Sequence, residues 1–193
     1  MTKKISSKEK IIETASRLFQ EQGYHATGLN QITKESGAPK GSLYYYFPDG
    51  KEQLASVAVN NTADNVAERI KNGLMEEDDP IKAIQTFIQQ LASAFEEKDK
   101  RMGIPVAAVA LETANTSEVI RTACVDAYDS WHNIFAAKLI TAGYEENQAQ
   151  ESALVINALI EGAFINVIIR KDGEPLRQIA KYIPNILGDK AQY

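Results

Sequence analysis

The sequence predicts an all-α protein, and three observations predict it. Gly and Pro divide the chain into segments whose apolar residues recur at helical spacing. No segment alternates with period two between turn residues, and several segment ends carry helix caps or stops. The first helix opens with Ser6 and Glu9 at capping-box spacing, puts Ile11, Ile12, Ala15, Leu18 and Phe19 on one face, and stops at Gly23. A short second helix over 29–36 has Thr27 as its expected cap and Gly37 as its stop. The third is expected to start at Pro39 and to run to Phe47, because proline suits a first helical turn.

After Pro48-Asp49-Gly50 a longer helix is expected to about residue 72, ended by the acidic break Glu76-Glu77-Asp78-Asp79 and Pro80. Further helices are expected over 80–99, 104–114, 117–142, 147–171 and 175–187, separated by Gly103-Ile104-Pro105, Gly143 and Gly173-Glu174-Pro175. The expected organisation is therefore a three-helix domain over 1–50 and a larger helical domain over 51–193.

A chain of 193 residues, 44% of them hydrophobic, can bury a substantial core. The formal net charge of −5 argues against a protein that coats nucleic acid without selectivity, but it is unevenly spread. Residues 1–55 carry a net +2, which leaves −7 for the rest. An acidic body repels phosphate, so productive contact with DNA would be confined to the basic front. The single cysteine, Cys124, excludes an intrachain disulfide, and the N-terminus lacks a signal-peptide pattern, so a cytoplasmic protein is expected. The apolar stretch over 153–169 falls short of the roughly 20 residues of a membrane span and contains Asn157, Glu161 and Asn166, so no membrane segment is expected.

The informative feature is GAPKGSLYYYF, residues 37–47. A turn at Gly37 between two brief helices has the spacing of a helix-turn-helix, whose second helix enters the DNA major groove. At about 100° per residue, Leu43 and Phe47 fall on the side that can anchor on Ile12, Phe19 and Ile32, while Gly41 and Tyr45 face away. Gly41 allows close approach of the helix backbone, and Tyr45 can pack on a thymine methyl or hydrogen-bond a base edge or phosphate. Tyr44 and Tyr46 flank that face, Lys40 and Ser42 occupy the first turn, and Thr27 and Lys51 stand near the starts of neighbouring helices. Lys3, Lys4, Lys8 and Lys10 form a basic arm that suits either DNA or water. On the residues alone, three successive tyrosines fit a half-buried helix corner as well as a DNA reader.

Across residues 11–54, the pattern A..LF...GY..T....I....GA.KGSLYYYF..KE.L resembles the DNA-binding domain of the TetR family over more than forty positions. The resemblance implies that Thr27, Lys40, Ser42, Tyr44, Tyr45, Tyr46 and Lys51 face DNA, with Gly41 giving access. This chain has Pro39 where the family commonly has the serine that caps the reading helix, and neither proline nor the preceding Ala38 can supply a side-chain cap. The stretches GIPVAAVALE at 103–112, W..I...L...G from 131 and ALIEGAFINVIIRKDGEPL at 158–176 are similar to the LmrA-like branch of drug- and flavonoid-responsive repressors. What the resemblance implies is a ligand-binding and dimerising C-terminal domain, a homodimer on palindromic double-stranded operator DNA, and a small aromatic or amphipathic, flavonoid-like effector that releases it.

Over 153–169 apolar residues occupy nearly every helical face, so the helix needs cover on two sides. Cover from its own chain and cover from a second copy both satisfy this, with Ala158, Gly162 and Ala163 permitting close helix approach. Ligand-pocket candidates are Phe95, Tyr128, Trp131, Phe135, Glu161 and Phe164, with Phe87, Met102, His132 and Asn166 as further lining residues, though all are types that also build cores. No catalytic site, metal site or cofactor is expected. His25 and His132 lie far apart, the cysteine is unclustered, and Asp129 and His132 share a helix face without a nucleophile motif.

Overall fold

The computed structural model describes residues 6–97 and 106–188, so Lys3, Lys4, Met102 and the Gly103-Ile104-Pro105 break lie outside the described residues. Among the described residues the regular structure is entirely helical. Its elements are α1 (Ser7–Gln22), α2 (Leu29–Ser36), α3 (Lys40–Tyr46), α4 (Lys51–Met75), α5 (Pro80–Glu96), α6 (Ala107–Thr113), α7 (Glu118–Thr141), α8 (Glu146–Arg170) and α9 (Glu174–Leu187). They form two compact units. The first holds α1 to α3, α4 as far as Asn65, α6, and α7 as far as Tyr128; the second holds the rest of α4 and α7 with α5, α8 and α9.

In the first unit α1 starts on the expected capping box. The Glu9 amide donates to Ser6 Oγ at 3.2 Å and the Ser6 amide donates to the Glu9 carboxylate at 2.7 Å. The helix ends at Gly23, whose φ of +82° is a backbone conformation that side chains disfavour. Ile11, Ala15, Leu18 and Phe19 are buried with Ile32 of α2 and Leu43 and Phe47 at α3, while Ile12 is only half-buried. Four of the five residues expected on this face are therefore in the core, and Ile12 lies at its edge rather than under α3. Along the outside of α1 and α2 runs a polar network. Arg17 bonds Glu21 and Glu35, Gln31 donates to Glu35 at 3.0 Å, and Gln22 donates to Gln31 at 2.9 Å.

Two caps differ from expectation. The N-cap of α2 is Gly28, without a side-chain bond, and Thr27 is fully buried. Its hydroxyl donates backward to the Gly23 carbonyl at 2.7 Å and accepts from Gln22 Nε2 at 3.2 Å. A carbonyl left over at the end of α1 was thus the nearer partner than the amides of α2. Pro39 does not begin α3 but flanks it, since ψ of 137° takes it out of the helical region, and Phe47 closes the other end. The Ser42 amide bonds the Pro39 carbonyl at 2.8 Å, a tight first turn that needs no side-chain cap.

In the second unit α4 continues past the expected stop near residue 72 to Met75. Gly73 does not break it. A Cβ there would lie 2.5 Å from Cδ2 of Phe87, so the glycine is the space into which that ring packs. Phe87 in turn meets Phe135 edge-on, with ring centroids 6.0 Å apart. Asp79 caps α5 by accepting from the Ile81 and Lys82 amides at 2.9 and 3.1 Å. Helix α9 packs on α5 and α8, and Gln85 reaches across to the Ala180 carbonyl at 2.8 Å. Glu96, at the end of α5, clamps the turn before α9 by accepting from the Gly173 amide at 2.9 Å and from both Arg177 guanidinium nitrogens at 2.8 and 2.5 Å. These bonds, the Arg177 pair foremost, hold the Glu96 carboxyl down at about 2.

Helix α8 leaves an apolar face uncovered. Ala153, Ile156, Ala163, Phe164 and Val167 face inward, whereas Leu154, Val155, Ala158, Gly162, Ile165 and Ile169 are exposed. These exposed positions recur at helical spacing along one stripe, with Ala158 and Gly162 at its centre. Of the expected small-residue trio, Ala163 turns to the core instead. By length and composition α8 could cross a membrane, and a third of its apolar window is buried inside the chain.

Candidate nucleic-acid interface

The reading helix is built by a sharp division of its side chains. Leu43 is wholly buried and Phe47 is 1% exposed, which fixes the rotation of α3 on the core. The opposite side then presents Tyr45, 79% exposed, with Tyr44 at 53%. Lys40 and Gly41 are exposed beside them, and Ser42 and Tyr46 are half-exposed. The Tyr45 and Tyr46 rings meet edge-on at 5.0 Å, so Tyr46 steadies the ring that projects furthest. A Cβ on Gly41 would meet nothing within 4 Å, so the missing side chain serves no packing need in the free protein. Two large exposed rings and an unobstructed glycine on one short helix describe a surface that awaits a partner.

Two residues of the expected set behave differently. Thr27 is enclosed, and its hydroxyl secures the α1–α2 turn by donating to the Gly23 carbonyl. Lys51 is half-buried with its ammonium 4.3 Å from the centroid of the Tyr24 ring. Burial lowers the Lys51 pKa, against an opposing effect of the Glu112 charge. Burial also raises that of Tyr24, with the Glu52 charge adding to it. The arm lysines Lys8 and Lys10 lie on the exposed side of α1.

Sequence reasoning missed Glu112 of α6. It accepts from the His25 amide at 2.6 Å and sits against Gly23, joining α6 to the turn before α2. Only the GY pair of the motif hinted that this turn was constrained; nothing identified its partner.

A family described as bacterial regulatory proteins, tetR family, matches residues 11–58, the same residues that build this surface. The C-terminal domain of LmrA/YxaF-like transcriptional regulators matches residues 80–182. The chain belongs to the TetR family. The HTH-type transcriptional regulator YxaF of Bacillus subtilis, itself uncharacterised, is 50% identical over 98% of this chain and 100% of its own length. LmrA of the same organism, also an HTH-type transcriptional regulator, is 45% identical over 94% of this chain and 96% of its own. Among solved structures, reduced NemR of E. coli superposes with a TM-score of 0.83 at 23% identity, covering 96% of this chain and 99% of that one. At that identity the likeness establishes the fold alone.

TetR-family regulators are typically dimeric repressors that bind operator DNA and respond to small molecules. The residues expected to serve the second role are distributed unevenly here. Trp131, Phe135 and Phe164 are buried in the second unit, Phe95 and Glu161 are half-buried there, and Tyr128 falls in the first unit. Phe135 is wholly enclosed against Phe87. His132 Nε2 lies 2.7 Å from the Gln150 carbonyl, and Asn166 donates to the Gly162 carbonyl of its own helix at 2.9 Å. Both polar groups are therefore engaged within the protein. The Cys124 thiol is pushed up to about 11 by burial, so it stays protonated and unreactive near neutral pH.

Proposed function

We propose that this regulator is a cytoplasmic repressor that occupies a palindromic operator as a homodimer and leaves it when a flavonoid-like ligand binds. In this reading residues 1–50 bind DNA and 51–193 bind ligand and dimerise. The observation that carries it is the outward face of α3. Tyr45 and Gly41 read the groove, Lys40, Ser42, Tyr44 and Tyr46 contact its walls, and Lys51 is the more distant phosphate partner. Thr27 acts through the turn it holds.

A single seven-residue reading helix covers few base pairs, so two copies on a two-fold axis are needed for specific affinity. The α8 stripe from Leu154 to Ile169 supports itself as the contact, continued by Pro175, Ile179, Tyr182 and Ile186 at helical spacing on α9. Ligand contact falls to Phe95, Tyr128, Trp131, Phe135, Glu161 and Phe164. A flavonoid is favoured because flat rings stack on such residues and because the chain resembles the LmrA-like branch. The driving force is differential affinity of the ligand for two conformations, so operator must weaken ligand binding by the same factor as ligand weakens operator binding.

A gel-shift series at rising salt tests the DNA role. Specific affinity whose logarithm declines linearly with log salt is expected, with Lys40→Ala, lost from both copies, reducing the slope by about 2. Retention of no duplex at low salt would end the proposal.

A further inference from the structure

We propose that Glu112 of α6 is a positioning residue of the DNA reader, holding the α1–α2 turn and through it the pose of α2 and α3. The inference rests on the DNA-binding reading above and adds to it a residue far outside the motif. Three observations lead to it. The half-buried Glu112 carboxylate accepts a hydrogen bond from the His25 amide at 2.6 Å, across 87 residues of sequence. At Gly23, the other side of the same turn, any Cβ would overlap the Glu112 carboxylate oxygen, so the glycine makes room for the contact. Between them Tyr24 lies under Lys51, the first residue of α4, whose ammonium the Glu112 charge favours.

The turn runs directly into α2, and α2 passes through Gly37 into α3. Three other devices tie α2 down, and the first, the buried Thr27 hydroxyl, closes the same turn onto the Gly23 carbonyl without reaching the His25 amide. The core residue Ile32 fixes its distance from α1, but it is the one buried apolar side chain of α2, so the tilt of α2 about it is held less firmly than Leu43 and Phe47 together hold α3. The Arg17, Gln31 and Glu35 network is exposed, and exposed ion pairs contribute little. A carboxylate on a backbone amide is charge-assisted and directional, so it sets the N-terminal end of α2. The core Ile11, Phe19, Ile32 and Leu43 remains without it, so the domain stays folded when Glu112 is lost.

Simple electrostatics predicts the opposite outcome, which makes the proposal decidable. Removing an acidic side chain reduces repulsion of phosphate and would strengthen DNA binding. Positioning requires that Glu112→Ala weaken it. The test uses the full-length protein and a duplex that the wild type selects from a random-sequence pool. Glu112→Ala is expected to lose tenfold or more in affinity for that duplex, with the wild-type salt slope, because the phosphate contacts remain in number. Glu112→Gln, whose amide oxygen can still accept from His25, is expected within threefold of wild type. Hydrogen exchange on the wild type should show the His25 amide protected like a helical one, a readout independent of whether Glu112→Ala folds.

Equal or tighter binding by Glu112→Ala, a loss that Glu112→Gln shares in full, or an unprotected His25 amide would each overturn the assignment. Failure of the wild type to select any sequence would instead overturn the DNA-binding reading on which it rests.

Discussion

Leu154→Ala should dissociate the dimer without unfolding the chain. Leu154 is 59% exposed at the start of the α8 stripe. Complete burial of a leucine side chain is worth about 1.5–3 kcal/mol, so covering the exposed fraction is worth about 1–2 kcal/mol per copy. A two-fold axis loses the side chain twice, which gives roughly 2–4 kcal/mol and a dissociation constant roughly 30- to 700-fold weaker. Sedimentation equilibrium across a concentration series measures that shift directly. Met75→Ala is the control, since Met75 is 79% exposed at the end of α4 and lies off the stripe. A Leu154→Ala dissociation constant within threefold of wild type, or the same shift for Met75→Ala, would refute the assignment of α8 as the contact.

Four further expectations concern the reader, the core and the Glu96 clamp. Tyr45→Ala should cost about 1–3 kcal/mol of operator affinity in gel shifts, while thermal melts move little because the ring is exposed. Gly41→Leu should raise stability slightly, since a helical glycine is replaced in open space, and should abolish operator binding; the two opposite signs distinguish a groove clash from misfolding. Gly73→Ala should cost about 1–3 kcal/mol by driving a methyl into the Phe87 ring, read as a melting temperature lower by roughly 2–10 °C. The Glu96 carboxyl is held down at about 2, so its contribution is present above the ordinary carboxylate range and is lost as pH falls towards 2. Melts of Glu96→Gln should therefore fall below wild type at pH 6 and converge with it only at about pH 2 and below.

Local signals were legible in the sequence where one segment carried the whole instruction. The Ser6 and Glu9 pair wrote the start of α1, and the spacing of Leu43 and Phe47 against Gly41 and Tyr45 wrote the outward face of α3 before any coordinates. Features that needed a second segment were not legible. Thr27 has the chemistry of a cap and was drawn instead to the spare carbonyl of Gly23. Gly73 has the chemistry of a stop and is instead a seat for Phe87, which lies on the next helix. Helical period cannot separate Ile11 from Ile12, because adjacent positions differ by about 100° and only the neighbouring helices decide which is inside. Glu112 was the hardest, for a carboxylate on a distant helix leaves no trace in the turn it secures.

As the proposed subunit contact, the α8 stripe carries an arithmetic of its own. At a two-fold contact each residue near the axis faces its own copy, so every codon change arrives as a pair and must agree with itself. A charge placed at Gly162 would meet the same charge, and a bulky group would meet the same bulk. Ala158 and Gly162 are small and neutral, which are the properties that remain compatible under that self-test at closest approach. On that proposal variation on this face is filtered by self-complementarity, while the face of α3 is filtered by a DNA sequence that can change independently of the protein. One chain thus carries two surfaces that drift under different rules, and the operator can be exchanged without the pairing of the subunits having to be learned again.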